Sequence, residues 1–300
     1  MTNAPKQTAC FHLPGLFEFY DLYSAFLKLY KEHREFFYEK CVIASLYGAP
    51  ADCLWGGGRV GFGEEVPEKV LALTEEYGIS ARLTFSNSLL KQEHLSDRRC
   101  HALCRLFSQS SVPSGIIVHS DLLLRELRQR YPSLYFVSST TKVLTGFDDC
   151  VKELNRPEFA YVVPDFRLNK AFDRWQTLSQ PQRDKVEFLI NECCDIRCAE
   201  RKACYETVSR KSLGESAEHL CPYTAGGGYR FSRAMVSPAF ISNEDIRDIY
   251  LPLGFDQFKI EGRGLGSAVV LEMLLYYLVR PEYQLTVREE IYLDSMLDLF

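Results

Sequence analysis

Short apolar runs recur along this chain with room for about one amphipathic helix between most neighbours, and that rhythm limits the folds open to it. The runs are Cys41–Leu46, Asp52–Trp55, Ala81–Phe85, Gly115–Val118, Leu134–Val137, Phe159–Val163, Val186–Ile190 and Gln257–Ile260. They are short and rich in β-branched or aromatic residues, as buried parallel strands are. Helical patterns lie between them at Pro67–Tyr77, Asp97–Ser108 and Leu122–Tyr131, and another, Ser267–Leu278, follows the last run. Strands alternating with helices predict βαβ units, and eight such units close into a barrel of about 250 residues. The 300 residues therefore predict one (β/α)8 TIM-like barrel domain spanning 1–300. An added N-terminal helix, Phe17–Tyr38, is expected before the first strand, and a C-terminal helix, Val287–Leu297, at the end. Only a turn separates the first two runs. The polar stretch Arg210–Arg230, with Gly226, Gly227 and Gly228, breaks the rhythm. A long irregular connection of that kind in a barrel is usually functional.

The bulk properties exclude several classes. At 46% hydrophobic and 25% charged residues, the chain is neither disordered nor fibrous. A net charge of −5 argues against nucleic acid as a partner. That leaves a small-molecule substrate, with a protein partner or a homodimer as further expectations. No stretch approaches the roughly 20 apolar residues that span a bilayer, and Met1–Gln7 lacks a signal-peptide core, so a cytoplasmic protein without membrane contact is expected. Disulfides rarely persist there, and the eleven cysteines need another reading. Cys10, Cys41, Cys53 and Cys150 read as small buried hydrophobes, and Cys100 and Cys104 as packing on adjacent helical turns.

Barrel active sites form at the C-terminal ends of the strands. Here those ends carry Gly56-Gly57-Gly58-Arg59, then Thr84, Ser86 and Asn87, then His119 and Ser120, then Ser138 to Lys142, then Asp165, Arg167 and Asn169. Many of these also serve as N-caps and turn residues. The last strand is more telling. Phe258 and Ile260 share one face and Lys259 and Glu261 the other, because strand side chains alternate. If the apolar pair faces the helices, the charged pair faces the barrel axis. A substrate- or anion-binding pair is expected there, with Arg263 just beyond and Arg59 and Asn87 in support; a structural salt bridge is the alternative.

Asn191 to Cys204 begins where the seventh run ends and carries Cys193, Cys194, Cys198 and Cys204, and Cys221 follows. Thiolates select zinc or iron–sulfur clusters. The two tight Cys-x-x-Cys pairs of a zinc ribbon are absent, which favours iron–sulfur with Cys194, Cys198, Cys204 and Cys221 as ligands, and zinc as the alternative.

Two motifs carry a family resemblance. Asp256-x-Phe258-Lys259-Ile260-Glu261-Gly262-Arg263, followed by an apolar helix with Tyr276 and Tyr277, resembles the signature strand of the peptidase U32 family. Val186–Cys194 with Cys198 and Arg201 resembles its cysteine-bearing strand and loop, and Phe231–Ile246 is similar to the stretch that follows. The resemblance covers Val186–Tyr277; the N-terminal half, with LWGGGR and LTFSNSLL, resembles only unassigned bacterial proteins. It implies a TIM-like barrel, a four-cysteine [4Fe-4S] cluster, and oxygen-independent hydroxylation of a quinone precursor or of RNA bases; other members are called collagenase-like peptidases. Related sequences carry His where Cys204 stands, which leaves Cys193 competing for the fourth ligand position. The chain also lacks the extra C-terminal domain of longer members.

The leading expectation is an iron–sulfur redox enzyme, of oxygen-independent hydroxylase type, acting on an anionic small molecule or an aromatic or prenylated precursor. A peptidase-like hydrolase is one alternative, although the chain has no HExxH motif and nothing places His119 with Ser120 or Cys194. A non-catalytic binding or assembly protein with a structural metal site is another. Apolar residues on the final helix, Ile291, Leu293, Met296, Leu297 and Phe300, would then meet a partner.

Overall fold

The structure is a computed structural model that describes residues 6–58, 63–223 and 230–295. Arg59, the glycines 226–228, and Met296, Leu297 and Phe300 lie outside the described residues. The strands are β1 (Ala9–Pro14), β2 (Cys41–Gly48), β3 (Ser80–Phe85), β4 (Gly115–Val118), β5 (Tyr135–Ser138), β6 (Tyr161–Val162), β7 (Glu187–Leu189) and β8 (Gln257–Lys259). They pair in the order β6-β5-β4-β3-β2-β1-β8-β7. Every pairing is parallel. A single parallel bridge between Val162 and Val186 joins the two ends, where the Val162 amide donates to the Lys185 carbonyl over 2.8 Å. The sheet thus closes into a (β/α)8 TIM-like barrel.

The larger helices are α1 (Tyr20–Glu32), α2 (Pro67–Glu76), α3 (Arg98–Phe107), α4 (Asp121–Arg130) and α5 (Phe147–Leu154). After β6 come the short α6 (Phe172–Trp175) and α7 (Gln180–Arg183). Then follow α8 (Arg201–Ser212), α9 (Phe231–Met235), α10 (Asn243–Asp245), α11 (Ser267–Leu278) and α12 (Gln284–Ser295). Local chemistry starts them where the sequence suggests. Asp97 caps α3 by accepting from the Cys100 amide over 2.7 Å, Ser120 caps α4 through the Leu123 amide, and Pro67 opens α2. No helix among the described residues is long and apolar enough to cross a membrane.

Two sequence expectations about the first barrel unit are corrected. The first strand is Ala9–Pro14, so α1 is the first barrel helix rather than an addition before the barrel. Asp52–Trp55 is a turn region, not a strand. Pro50 enters it, and the Gly56 amide donates back to the Cys53 carbonyl over 2.9 Å, a turn bond that leaves no extended backbone to pair with a neighbour. Part of the irregular stretch, through Ser212, is helical as α8. In α12, Ile291 is fully buried, while Leu285 and Leu293 face outward.

Alternation along the strands separates two apolar zones. Phe11, Leu83, Ile116, Phe188, Phe258 and Ile260 point outward into the main core beneath the helices. Tyr47, Ile117, Val137, Val163 and Leu189 form a small inner cluster inside the barrel. The rest of the interior is polar: His12, Ser45, Arg82, Glu187, Gln257 and Lys259 are all buried. As β8 predicts, Phe258 packs outward against Phe11 and Tyr250, while Lys259 turns inward over the Tyr47 ring.

Candidate active site at the barrel mouth

Burying four polar strand residues in one cylinder requires that they satisfy each other. Glu187 does this at the centre. Its carboxylate accepts from Arg82 Nη1 at 2.6 Å and from Lys259 Nζ at 3.3 Å, and His12 Nε2 lies 3.5 Å from it. Tyr135 accepts from Arg82 Nε over 2.8 Å, and the guanidinium sits 4.8 Å from the Tyr161 ring centre. Burial alone would raise the Glu187 pKa, but the Arg82 charge above all, with that of Lys259, holds it well below the usual carboxylate range.

His12 is held neutral: burial, then the Arg82 charge, push its pKa down to about 3. Its tautomer follows from its partners. Gln257 donates its amide N–H to Asp256, so its oxygen faces His12 and accepts from Nε2 over 2.9 Å. Nδ1 is left to accept from the Ser45 hydroxyl over 2.8 Å. The folded chain thus refuses a proton that the unfolded chain takes up below about pH 6.5. Stability should fall on acidification from about pH 6.5 towards pH 3, with His12 alone contributing at most about 1.4 kcal/mol per pH unit. Urea midpoints measured between pH 7 and pH 5 test this. His12→Asn should flatten part of the slope, the remainder belonging to His101 and His119, whose pKa values are also lowered. An unaltered slope in that variant would place the acid sensitivity elsewhere.

Above this network, at the C-terminal ends of the strands, a cavity of about 90 Å³ opens to solvent. Tyr47, Thr84, Lys259, Glu261, Arg263 and Glu192 are among its lining. Lys259 and Arg263 are buried cations in its wall, Lys259 the deeper at 4% exposed. Burial lowers its pKa, the Glu187 charge raises it and the Arg82 charge lowers it again, leaving it at about 8. The Thr84 hydroxyl is buried and meets no hydrogen-bond partner among the described residues, so it is available to a ligand.

The β5 end supplies a chain of hydroxyls. His119 Nδ1 lies 2.9 Å from Thr141 Oγ1, Thr141 donates to Ser139 over 2.9 Å, and Ser139 donates to Ser86 over 3.1 Å. Burial, then the Lys142 charge, push the His119 pKa down to about 4. A neutral His119 that donates from Nδ1 gives the chain one direction, towards Ser86 in the cavity wall. Just beyond the Thr140–Lys142 turn, Val143 has φ 53°, a left-handed conformation that β-branched residues rarely adopt. Such strain clusters at functional sites.

The expected substrate residues divide. Lys259, Glu261 and Arg263 all line the cavity. Arg263 also donates to Glu18 Oε1 over 2.8 Å and to the Ala49 carbonyl over 3.2 Å. Asn87 is fully buried beside the cavity. It donates to the carbonyls of Leu54 and Ser209 over 3.1 and 3.2 Å, joining the loop after β2 to α8. Asn191 clamps the ends of β7 and β8: it accepts from the Glu261 amide over 2.7 Å and donates to the Glu261 carbonyl over 3.0 Å.

The cysteine loop leaves β7 at this same mouth. Glu192, Cys193 and Glu261 bring their ligand atoms within 4.8 Å of one another. Cys194 is half-buried in the loop, and Cys198 is buried, its carbonyl accepting from Arg167 over 2.9 Å. Cys204 lies in the first turn of α8 and Cys221 follows α8. Among the described residues, no three of Cys194, Cys198, Cys204 and Cys221 gather their sulfurs within 4.8 Å. A tetrahedral zinc ion with bonds of about 2.3 Å needs sulfurs within about 4 Å of each other. A cubane sets its ligands wider apart, since each thiolate binds a different iron.

No family model and no curated protein matches this chain. Among solved structures, the U32 peptidase Mk0906 superposes with a TM-score of 0.51 at 15% identity, covering 88% of this chain and 96% of that one. The chain has the U32-type barrel fold. At that identity the likeness extends to the fold alone.

Glu18, Glu187, Arg82 and His12 are site residues that the sequence reading passes over. Arg82 and Glu187 had a signal, since each is a lone charge within an apolar strand, and a buried charge needs a partner.

Proposed function

We propose that this chain is an enzyme acting on a small anionic molecule at the mouth of its U32-type barrel. The observation that supports this best is Lys259, buried in the wall of a small open cavity among hydroxyl groups. At about 90 Å³ the cavity suits a molecule of only a few heavy atoms, and a few convergent polar groups are the usual form of such sites. The cysteine loop opens on the same mouth and supports redox chemistry of the oxygen-independent hydroxylase type. Cys194, Cys198, Cys204 and Cys221 would hold a [4Fe-4S] cluster, with Cys193 competing for one position. When bound, that cluster supplies one-electron chemistry. Lys259 and the hydroxyl of Thr84 bind and orient the substrate, while Glu187 and Arg82 fix the lysine. The cytoplasm, where thiols stay reduced, is the expected compartment.

Anaerobic purification with iron and sulfide analysis tests the reading. About four irons and four sulfides per chain are expected, falling to background in Cys198→Ala. One zinc per chain would replace the cluster with a structural metal. An iron-free, zinc-free protein after anaerobic reconstitution would remove the metal centre and leave the cavity to carry the function.

A further inference from the structure

Lysine amines become nucleophiles when they are desolvated or set beside another cation, because either condition leaves more of the amine unprotonated. Lys259 meets both conditions. It is buried, and it shares Glu187 with Arg82: Arg82 Nη1 takes one carboxylate oxygen at 2.6 Å, and Lys259 Nζ has the other at 3.3 Å. The closer bond to the arginine leaves the lysine the weaker share of the single negative charge. The remaining groups facing this lysine are neutral His12 on β1, the Tyr47 ring on β2, and Glu261, Arg263 and Glu192 around the cavity. Arg263 is already paired with Glu18 and Glu192 with Arg201.

Building on the small-molecule site proposed above, we infer that Lys259 forms a covalent imine with the oxo carbon of a 2-oxo acid. The unprotonated amine adds to the carbonyl carbon, forming a C–N bond while the carbonyl oxygen takes a proton. The resulting carbinolamine loses its hydroxyl group, with one more proton, as water, and the nitrogen lone pair closes the C=N bond. Glu261, which lines the same cavity, is placed to relay these protons. No oxidant or reductant enters. The substrate carboxylate has hydroxyl partners across the cavity in Thr84, whose oxygen has no partner among the described residues, and in Thr140. Glu187 lies one inward-facing position deeper on β7 than Leu189, the register partner of Lys259. It therefore sits beneath the amine, clear of the approaching carbonyl.

Two labelling experiments on the full chain test this. The protein is incubated with millimolar pyruvate and cyanoborohydride and then mapped by peptide mass. Lys259 should carry a reduced pyruvyl group, while exposed Lys152 and Lys69 stay largely unmodified and Lys259→Arg carries none at that position. In parallel, a pulse of acetic anhydride at pH 7.5 should label Lys259 on the order of tenfold faster than Lys152, because an ordinary lysine with a pKa near 10.4 is almost wholly protonated there. These comparisons lie within the wild-type chain and do not depend on the variant folding. If Lys259 acetylates but pyruvate leaves no adduct, the imine is overturned and the small-molecule site stands. If Lys259 takes neither reagent, small molecules do not reach the cavity, and both the imine and the barrel-mouth site fall.

Discussion

Glu187→Gln is expected to destabilise the fold by about 3–5 kcal/mol, the cost of leaving buried cations without their counter-charge. Arg82, Glu187 and Lys259 are 1%, 0% and 4% exposed, so water cannot stand in for the lost carboxylate. The amide can accept from one cation, yet it brings no charge against Arg82 or Lys259. For a chain of this size the loss corresponds to a drop in melting temperature of roughly 10 °C. Removing both strong partners, as in Arg82→Met with Glu187→Leu, should cost less than Glu187→Gln alone, because only Lys259 is then left without its counter-charge, and burial favours loss of its proton. Thermal melts of the two variants beside the parent decide it. A Glu187→Gln protein that melts with the parent would mean that the cations have another counter-charge.

Arg201→Met should detach the cysteine loop. Arg201 is 1% exposed and holds the loop from its far side. Its Nη2 lies 2.5 Å from Glu192 and its Nε 3.6 Å from Asp165, it donates to the Tyr205 hydroxyl over 3.0 Å, and its guanidinium lies 4.8 Å from the Phe166 ring centre. Asp165 keeps Arg167 at 2.6 Å, so the loss falls on Glu192, the residue where the loop begins. The expected cost is about 3 kcal/mol. It should appear locally, as faster tryptic cleavage after exposed Arg197, and as loss of bound iron if the thiols hold a cluster. Arg201→Lys keeps the charge but not the forked geometry, and should fall between the two. Unchanged cleavage in Arg201→Met would show that the loop is held by other contacts.

Much of the barrel is legible in the sequence because buried parallel strands are short, apolar and well punctuated. Gly115–Val118 and Ser267–Leu278 coincide with their elements. The first strand hides because its inward residues are not apolar. Phe11 and Leu13 face the helices, but His12 faces a polar interior and Pro14 ends the strand, so Ala9–Pro14 lacks an apolar run. Asp52–Trp55 misleads for the opposite reason: Cys53, Leu54 and Trp55 are apolar because they pack in a loop over the core. At the site, strand alternation places Lys259 from local sequence alone. Its partner does not follow from local rules, since Glu187 lies on another strand, and only closure of the ring decides that it meets Arg82, Lys259 and His12 together. Glu18 is still farther from Arg263 in sequence, and the pair forms because β1 lies between β2 and β8.

The ring closes through one Val162–Val186 bridge, next to strands of two and three residues, whereas β1 and β2 pair over six residues. A cylinder fastened so unevenly has a clasp. Its amides around Val162 and Val186 should exchange with solvent deuterium through small local openings, while those of β2 and β3 wait for larger ones. The cysteine-bearing loop is carried on the clasp strand β7, so anything that binds those thiols at the mouth also fastens the barrel, and the protection of Val162 would report its arrival from the opposite side of the seam.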